Sequence, residues 1–320
     1  MPSLAIIIVN WNSGGQLAEC LASIRQALAG SFQLRDVVVV DNASTDESAS
    51  DLRLDGLPLR VLRNPVNRGF AAACNHGAAD LTTDYLLFLN PDIRLYAEAL
   101  AVPIAHMEQP ENAAVGICGV QLVDHQERVV PSCARFPSAM NFLAATVGLD
   151  RLLPRVFPPH LMTDWRHEIT TDVEQVIGAF FLVRTPLFRE LEGFDERFFL
   201  YYEEVDFSLR ARHAGWTSRY LVAARAFHRG EGTTDRIRAQ RLFYSLRSRL
   251  LYCFKHFRAL PALAVMGTTL VVEPLTRCAL SLRRRGWRGL RETLTAYRAL
   301  WRGLPGIARA IRADPKGGTP

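Results

Sequence analysis

Leu4-Ala-Ile-Ile-Ile-Val-Asn-Trp-Asn12 begins with six apolar residues, most of them β-branched, and then turns polar. A run this short and apolar on both faces predicts a buried strand of a parallel sheet. Asn10 and Asn12 then follow at the carboxyl end of that strand. Open α/β sheets bind their ligands at this edge, so we expect the two asparagines to lie beside a ligand.

Similar apolar runs return through the first half of the chain, separated by segments whose apolar residues have helical spacing. One such segment, over 70–79, is rich in small residues, which predicts close packing on a sheet. The alternation of strands and helices indicates an open α/β sheet. We predict further strands over 37–40, 59–62, 85–89, 115–122, 176–183 and 217–223, and helices over 15–28, 70–79, 95–107 and 203–214.

Charge divides the chain into an acidic part and a basic part. Residues 1–206 hold 15 Lys and Arg against 27 Asp and Glu, whereas residues 207–320 hold 23 against 5. After about residue 235 the sequence becomes helix-forming and Arg-rich, so we predict one α/β domain over 1–235 and a basic helical region over 236–320. A region this basic indicates an anionic partner.

The basic region also carries an apolar stripe. Its apolar run over 259–272 is shorter than the roughly 20 residues of a spanning helix, which favours an interfacial or core helix. An apolar stripe with arginines on other faces is typical of a helix lying in the plane of an anionic membrane surface. Packing on the α/β domain or on a second subunit is the alternative. The stripe comprises Trp287, Leu290, Leu294, Tyr297, Trp301 and Leu304.

The six cysteines show no CxxC or Cys/His ligand spacing, which predicts buried free thiols in a reducing compartment. Neither a basic leader nor a small-residue cleavage site flanks the first apolar run, so we expect no signal peptide. The expected location is therefore cytoplasmic, peripheral on the inner face of the membrane. Nucleic acid is not expected as a partner, because a stripe of Trp, Leu and Tyr fits lipid better than bases.

Two familiar nucleotide-binding motifs are absent from the sequence, the GxGxxG loop after the first strand and the Walker A loop. A nucleotide must then be held by other groups at the strand ends. Asp41 leaves the second predicted strand, and its carboxylate can accept a hydrogen bond from a pyrimidine N–H or from ribose hydroxyls. The alternative for 41–46 is a capped turn before a helix.

Asn90-Pro91-Asp92 follows the predicted strand over 85–89. Mg²⁺ and Mn²⁺ prefer oxygen ligands and often take few carboxylates, because substrate phosphates complete their coordination. Asp92 is therefore a candidate metal ligand, and a turn or helix cap is its alternative. His228, after the last predicted strand, is either a structural side chain or a partner of the metal or diphosphate.

Glu203, Glu204 and Asp206 open a predicted helix directly after the aromatic run Arg197-Phe-Phe-Leu-Tyr-Tyr202. Carboxylates at a helix N-terminus are stabilised by the helix dipole, so capping is one interpretation. Three carboxylates at the edge of an apolar core are more than capping requires. The other interpretation is a general base that takes a proton from a sugar hydroxyl in a partly dry site.

Taken in order, these segments resemble a family 2 glycosyltransferase of the GT-A fold, in the rhamnosyltransferase-like branch that builds bacterial cell-surface polysaccharides. The resemblance spans about residues 4–256, including Tyr244-Ser-Leu-Arg-Ser-Arg-Leu250. The matching motifs are Ile8-Val-Asn-Trp-Asn12, Val40-Asp-Asn-Ala-Ser-Thr-Asp46, Asn67-Arg-Gly-Phe-Ala-Ala-Ala-Cys-Asn75, Phe88-Leu-Asn-Pro-Asp92, Gly178-Ala-Phe-Phe-Leu182 and Gly193-Phe-Asp-Glu-Arg-Phe-Phe-Leu-Tyr-Tyr-Glu-Glu-Val-Asp206.

The resemblance implies a role for each candidate residue. Asp92 stands at the metal position of the family's DxD-type motif, with Mg²⁺ or Mn²⁺ as cofactor and His228 helping to hold the metal or diphosphate. Glu204 stands at the position of the catalytic acid, and the segment from Gly178 approaches the donor sugar or acceptor. The residues implied to bind the nucleotide-sugar are Asp41 at the base, Asn10 and Asn12 nearby, and Asn67, Arg68, Gly69 and Asn90.

The implied reaction is an inverting single displacement, in which Glu204 deprotonates an acceptor hydroxyl that attacks the anomeric carbon. The branch favours dTDP-rhamnose as donor and a lipid-linked or polysaccharide acceptor. Two alternatives to this function stay open: a UDP-sugar as donor, and a catalytically impaired scaffold that binds a nucleotide-sugar. Oligomerisation also stays open. Two positions depart from the family: DxD is Asn-Pro-Asp, and Glu204 replaces the usual Asp, which leaves Asp206 and then Glu203 as alternative bases.

Overall fold

The computed structural model describes residues 1–50, 52, 56–230 and 238–313. The chain divides into two units. The first comprises Met1–Phe136, Leu161–Glu196 and Glu203–Thr233, and the second Pro137–His160, Arg197–Tyr202 and Thr234–Pro320. Two stretches within the predicted domain 1–235, namely 137–160 and 197–202, thus belong to the second unit.

The first unit contains one ten-stranded sheet and a separate two-stranded sheet formed by its eighth and tenth strands, with helices between strands along the chain. Numbered in chain order, its elements are β1 Ser3–Asn10, α1 Gln16–Gln26, β2 Gln33–Asp41, β3 Leu59–Arg63, α2 Phe70–Ala78, β4 Tyr85–Leu89, β5 Ile93–Leu95, α3 Ala101–Met107, β6 Val115–Val123, β7 Val129–Val130, β8 Cys133–Ala134, β9 Thr171–Val173, β10 Gln175–Val176, β11 Phe180–Arg184, α6 Thr185–Glu190, α7 Glu203–His213 and β12 Thr217–His228.

The sheet has the strand order β3-β2-β1-β4-β11-β6-β12-β5, with β7 beside β6 and β9 beside β12. Strands β3, β2, β1 and β4 are all parallel, and β6 is parallel to β12. Strand β11 runs antiparallel between β4 and β6. The α/β fold class with a mostly parallel central sheet is thereby confirmed, and the carboxyl ends of β1, β2 and β4 share one edge.

Strand β1 shows why its sequence is apolar without alternation. Ile6 and Ile8 pack into the hydrophobic core on one face of the sheet, whereas Ile7 packs into the core on the other. Successive side chains of a strand point to opposite faces, so a strand covered on both sides needs apolar residues throughout. Each fully buried isoleucine contributes about 1.5–3 kcal/mol.

Helix α2 packs closely on this sheet, as its small residues predict. A Cβ atom on Gly77 would lie 2.6 Å from Ile7 Cγ2 and 2.9 Å from Val40 Cγ2. The helix can therefore approach β1 and β2 only because residue 77 has no side chain.

Three predicted boundaries are wrong. The helix predicted over 95–107 begins only at Ala101, because Ile93–Leu95 form β5 and pair with β12. The predicted strand over 176–183 is interrupted at 177–179, between β10 and β11. Strand β12 extends beyond the predicted 217–223 and ends at His228.

The second unit is helical. Its elements are α4 Ala139–Val147, α5 Leu149–Leu152, α8 Arg238–His256, α9 Ala259–Gly267, a π-helical turn Thr268–Val272 and α10 Glu273–Arg312. Helix α10 is interrupted at Gly286, whose φ of 61° lies in the left-handed region. Arg249 forms a buried ion pair with Glu273, which Arg277 also contacts at 2.7 Å.

The apolar run ends at residue 272, but the helical structure continues beyond it. Pro274 lies in the first turn of α10, where its missing N–H costs nothing, so helical structure continues to Arg312. By length and composition alone, the segment Ala259–Arg312 could cross a membrane, although 28% of its most apolar window is buried within the protein.

Candidate active site

Asp41 ends β2 beside Asn10, which ends β1 at the same level in the parallel register. Asn10 Nδ2 donates a hydrogen bond to Asp41 Oδ1 at 3.0 Å, and Asn10 is fully buried. The same amide nitrogen lies 3.0 Å from Ser44 Oγ and 2.9 Å from Ser48 Oγ. Asn10 therefore positions the Asp41 carboxylate at the carboxyl edge of the sheet.

Asn12 fixes the loop that follows β2. Its φ of 52° is left-handed, a conformation that asparagine adopts more readily than most residues. Its side-chain Oδ1 accepts hydrogen bonds from the backbone N–H groups of Thr45 at 2.6 Å and Asp46 at 3.2 Å. These bonds hold the loop over 44–46 beside the end of β1.

Asn42 follows Asp41 at the end of β2, and its side chain holds a loop whose contact with it was not predicted from the sequence. Its Oδ1 accepts a hydrogen bond from the Arg68 backbone N–H at 3.0 Å, and its Nδ2 donates to Asn67 Oδ1 at 3.0 Å and Gly69 O at 3.1 Å. Asn42 thus holds the segment 67–69 against the end of β2. The Arg68 guanidinium is half-exposed and lies 3.4 Å from Glu196.

Asp92 and His228 are brought together by the antiparallel pairing of β5 with β12, in which His228 lies opposite Ile93. His228 Nε2 lies 3.4 Å from Asp92 Oδ2, and the Arg229 N–H donates to the Asp92 carbonyl at 3.2 Å. The two side chains are 17% and 13% exposed. They are thus partly buried yet accessible from solvent.

Asp92 and His228 provide only two side-chain ligands for a metal ion. No group of three or more His, Cys, Asp or Glu that could hold a metal occurs within 1–50, 52, 56–230 and 238–313. A paired carboxylate and imidazole nevertheless fit an ion that takes one or two protein ligands and leaves its other positions to phosphate and water.

The acidic cluster at the start of α7 divides into residues with different surroundings. Asp206 is fully buried, and its carboxylate accepts a hydrogen bond from Arg210 Nε at 2.8 Å. Arg210 also donates to the carbonyls of Leu191 at 2.6 Å and Gly193 at 2.8 Å. Asp206 therefore anchors an arginine that ties α7 to the preceding loop.

Glu203 and Glu204 are a coupled pair of carboxyl groups. Burial raises the pKa of Glu203 well above its usual range, and the charge of Glu204 raises it further. Burial also raises the pKa of Glu204, but hydrogen bonds from the backbone N–H groups of Glu204, Val205 and Gly178 oppose that rise. Three backbone N–H groups thus favour the charged form of Glu204, whereas one favours that of Glu203.

The interruption between β10 and β11 links Glu204 to the loop of Asp92. A Cβ atom on Gly178 would lie 3.8 Å from Glu204 Cβ, and the Gly178 N–H reaches the Glu204 carboxylate. The neighbouring Ala179 carbonyl accepts a hydrogen bond from the Asn90 N–H at 3.0 Å. One short segment thus contacts both the acidic cluster and Asn90-Pro91-Asp92.

The mostly parallel sheet, with polar residues along its carboxyl edge, is the arrangement expected of the GT-A fold. Residues 5–155 match the family model described as Glycosyl transferase family 2. Over residues 5–155 the predicted family, glycosyltransferase family 2, is therefore confirmed.

Two curated relatives are rhamnosyltransferases. The chain is 27% identical over 255 residues to the N-acetylglucosaminyl-diphospho-decaprenol L-rhamnosyltransferase of Mycobacterium tuberculosis (strain CDC 1551 / Oshkosh), covering 75% of this chain and 80% of the relative. It is 30% identical over 151 residues to Rhamnosyltransferase WbbL of Escherichia coli (strain K12), covering 45% and 52%.

Two solved structures share the fold. The mannosyltransferase PcManGT from Pyrobaculum calidifontis, in complex with GDP-Man and Mn²⁺, has a TM-score of 0.54 at 16% identity, covering 97% of this chain and 86% of that one. S. aureus TarS 1–349 has a TM-score of 0.50 at 15% identity, covering 95% and 92%. At these identities the likeness establishes the GT-A fold alone.

Proposed function

We propose that this glycosyltransferase moves a sugar, with dTDP-rhamnose as the favoured donor, to a lipid-linked acceptor in cell-surface glycan synthesis, with inversion at the anomeric carbon. The relatives named for L-rhamnosyl transfer and for a diphospho-decaprenol substrate support this choice of donor and acceptor. The observation that carries the proposal is the segment 178–179, which contacts both Glu204 and the loop of Asp92.

In this proposal the donor nucleotide lies along the carboxyl edge of β1 and β2. Asp41 accepts hydrogen bonds from the base or ribose, and Asn10 holds its carboxylate in place. Asn12 and Asn42 fix the flanking loops, so that Asn67, Arg68 and Gly69 line the nucleotide-sugar pocket.

Asp92 Oδ2 and His228 Nε2 would hold Mg²⁺ or Mn²⁺ in this proposal, with Asn90 fixing the loop through its backbone. When bound, such an ion supplies charge stabilisation for the departing nucleoside diphosphate. The pairing of β5 with β12 keeps the two ligands together before any ion binds, which reduces the ordering required on binding.

Glu204 is the proposed general base. Three backbone N–H groups stabilise the charged form of its carboxylate, and Gly178 leaves the space beside it free of a side chain. Glu203 is buried beside it, and burial favours the protonated form of that residue. We assign Asp206 to structure and not to proton transfer, because its carboxylate pairs with Arg210 in the core.

The test is a transfer assay with dTDP-rhamnose, UDP-sugars and GDP-mannose, each with Mn²⁺ and a lipid-linked acceptor. We expect product from dTDP-rhamnose and the opposite anomeric configuration to the donor in its NMR spectrum. Product from a UDP-sugar alone would favour the alternative donor. Nucleotide-sugar binding without transfer from any donor would favour the impaired scaffold.

We also propose that the second unit holds the protein on the inner face of the membrane. Of the nineteen exposed large apolar side chains among the described residues, fourteen belong to this unit. Thr276 Oγ1 donates to the Thr146 carbonyl at 3.0 Å, so α10 lies beside α4. Exposed apolar side chains on neighbouring helices, with arginines around them, are suited to the boundary between acyl chains and anionic headgroups.

A further inference from the structure

A cavity of about 370 Å³ lies within the second unit and is lined by Tyr201, Arg238, Arg241, Leu242, Ser245 and Arg285. Four of the lining residues belong to α8, at positions i, i+3, i+4 and i+7, and so share one face of that helix. Arg285 comes from α10, one residue before its interruption at Gly286. Two helices therefore direct three guanidinium groups and one hydroxyl group to one cavity, and Tyr201 adds a second hydroxyl group.

The lining has the chemistry of an anion site. None of its six residues is acidic, and five of them carry hydrogen-bond donors. Glu292 pairs with Arg285 at 2.9 Å, but that arginine still has 42% of its side chain exposed. Several guanidinium groups around one cavity are typical of sites for phosphate and diphosphate, which accept paired hydrogen bonds from arginine.

Tyr201 joins this cavity to a strained segment of the chain. Tyr201 and Tyr202 have φ values of 67° and 71°, two consecutive non-glycine residues in the left-handed region. Such strain persists only where surrounding contacts fix the backbone, and it is concentrated at functional sites. Here Arg241 Nε donates to the Tyr201 hydroxyl at 2.7 Å.

Helix α8 holds the same segment at two further points. Ser248 Oγ donates to the Leu200 carbonyl at 2.8 Å, and Arg247 donates to the Arg197 carbonyl at 2.7 Å. Glu204, the proposed base, follows Tyr201 by three residues along the chain. The helix that supplies most of the cavity lining thus also fixes the backbone that leads into the acidic cluster.

We propose that this cavity binds the phosphate or diphosphate ester of a lipid. The acceptor proposed above carries such a group between its sugar and its lipid, and a phospholipid headgroup is the other source of the same chemistry. The assignment to the acceptor rests on the proposed function. Binding there would fix the phosphate end of the acceptor on α8 and α10.

The test uses the full-length protein in detergent, with farnesyl diphosphate as the soluble probe and farnesol as the uncharged comparison. Arg238→Gln and Arg285→Gln each remove one guanidinium from a different helix, and Arg298→Gln removes an equally charged, exposed residue outside the cavity. We expect farnesyl diphosphate binding to weaken about tenfold in each cavity variant, and to stay unchanged in Arg298→Gln. Farnesol should bind all proteins alike.

A parallel measurement distinguishes the two sources of phosphate. If the acceptor supplies it, KM for the lipid-linked acceptor rises in both cavity variants while kcat and the donor KM stay constant. If a headgroup supplies it, affinity for phosphatidylglycerol vesicles falls and the acceptor KM does not. If the cavity variants bind both farnesyl diphosphate and phosphatidylglycerol as the natural protein does, the proposal is wrong. These binding measurements require no turnover. Their outcome is therefore independent of the transfer assay that tests the proposed function.

Discussion

At the scale of single residues, Glu204 is the side chain on which the proposed chemistry depends. Glu204→Gln keeps the shape of the side chain and removes its capacity to accept a proton. We expect kcat to fall by about 10²–10⁴-fold, with nucleotide-sugar affinity unchanged in a calorimetric titration. Glu168→Gln, an exposed change in the same unit, should leave kcat as it is. A Glu204→Gln enzyme with nearly full kcat would exclude Glu204 as the base.

Glu203 leads to a prediction about stability and pH. Its folded-state pKa is raised above the value of about 4.3 expected for an unfolded chain. The folded protein therefore binds more protons in the window above pH 4.3, and the free energy of unfolding decreases as pH rises through that window. Glu203→Gln removes this dependence. The free energy of unfolding of the variant, relative to that of the natural protein, should therefore increase from pH 4.5 to pH 8.

Urea unfolding of both proteins at several pH values measures that difference. A constant difference across the range would show that Glu203 does not hold a proton in the folded state. Asp206→Asn serves as the contrasting variant, because it weakens the ion pair to Arg210 and should destabilise the protein at neutral pH.

The positions of candidate residues that follow strands were predictable from sequence for two reasons. The end of an apolar run marks the carboxyl end of a strand, and the carboxyl ends of parallel strands lie at the same edge of the sheet. The positions of Asp41 and Asp92 at the ends of strands were predicted in this way. The pairing of Asp206 with Arg210 was not predicted, although the two residues are four apart on a predicted helix. The role of Asn42 was not predicted either, because its partners belong to a loop some 25 residues further along the chain.

At the scale of secondary-structure elements, α2 shows how a residue type sets the distance between a helix and a sheet. Gly77→Ala would gain up to about 1 kcal/mol in helix propensity. The added Cβ would, however, lie within 3 Å of Ile7 and Val40, whose β-branched side chains are stiff. Overpacking costs about 1–3 kcal/mol, so we expect net destabilisation.

Thermal unfolding of Gly77→Ala checks this, with Gly15→Ala as the control, since a Cβ on Gly15 meets no atom within 4 Å. The control should change the melting temperature less than Gly77→Ala does. An unchanged melting temperature for Gly77→Ala would mean that α2 can move away from the sheet without cost.

Elements whose partners are distant in sequence were the hardest to predict. The helix predicted over 95–107 included Leu95, but residues 93–95 form β5 because β12, about 130 residues later, supplies their hydrogen bonds. The same pairing brings His228 to Asp92. Local spacing of apolar residues carries no information about such a partner, so neither the strand nor the contact could be derived from it.

At the scale of the whole molecule, the sequence indicated a change to helix-forming, Arg-rich composition near residue 235. It did not indicate that the second unit consists of three separate stretches of the chain. Residues 137–160 and 197–202 join it because their side chains pack with the later helices. Phe142, for example, has its ring centroid 6.2 Å from that of Phe257. Composition along the chain cannot reveal this, since both stretches are short and surrounded by sequence of the first unit.

Membrane binding is the prediction that belongs to this scale. Leu260, Leu263 and Leu275 are 80%, 47% and 71% exposed in the second unit. Changing all three to serine removes much of the apolar area available to acyl chains. At roughly 1.5–3 kcal/mol for a fully buried leucine, even partial insertion predicts at least about a tenfold loss of affinity for phosphatidylglycerol vesicles in a sedimentation assay.

The matched control changes three exposed apolar residues of the first unit, Val66, Val129 and Ile169, to serine. These should leave vesicle binding unchanged if the second unit is the membrane-facing part. Binding by the natural protein should also weaken in high salt, because arginine attraction to anionic headgroups is screened beyond about 10 Å at 0.1 M ionic strength. Equal losses in both triple variants would mean that the two units contribute alike, and the assignment of the membrane surface to the second unit would then be wrong.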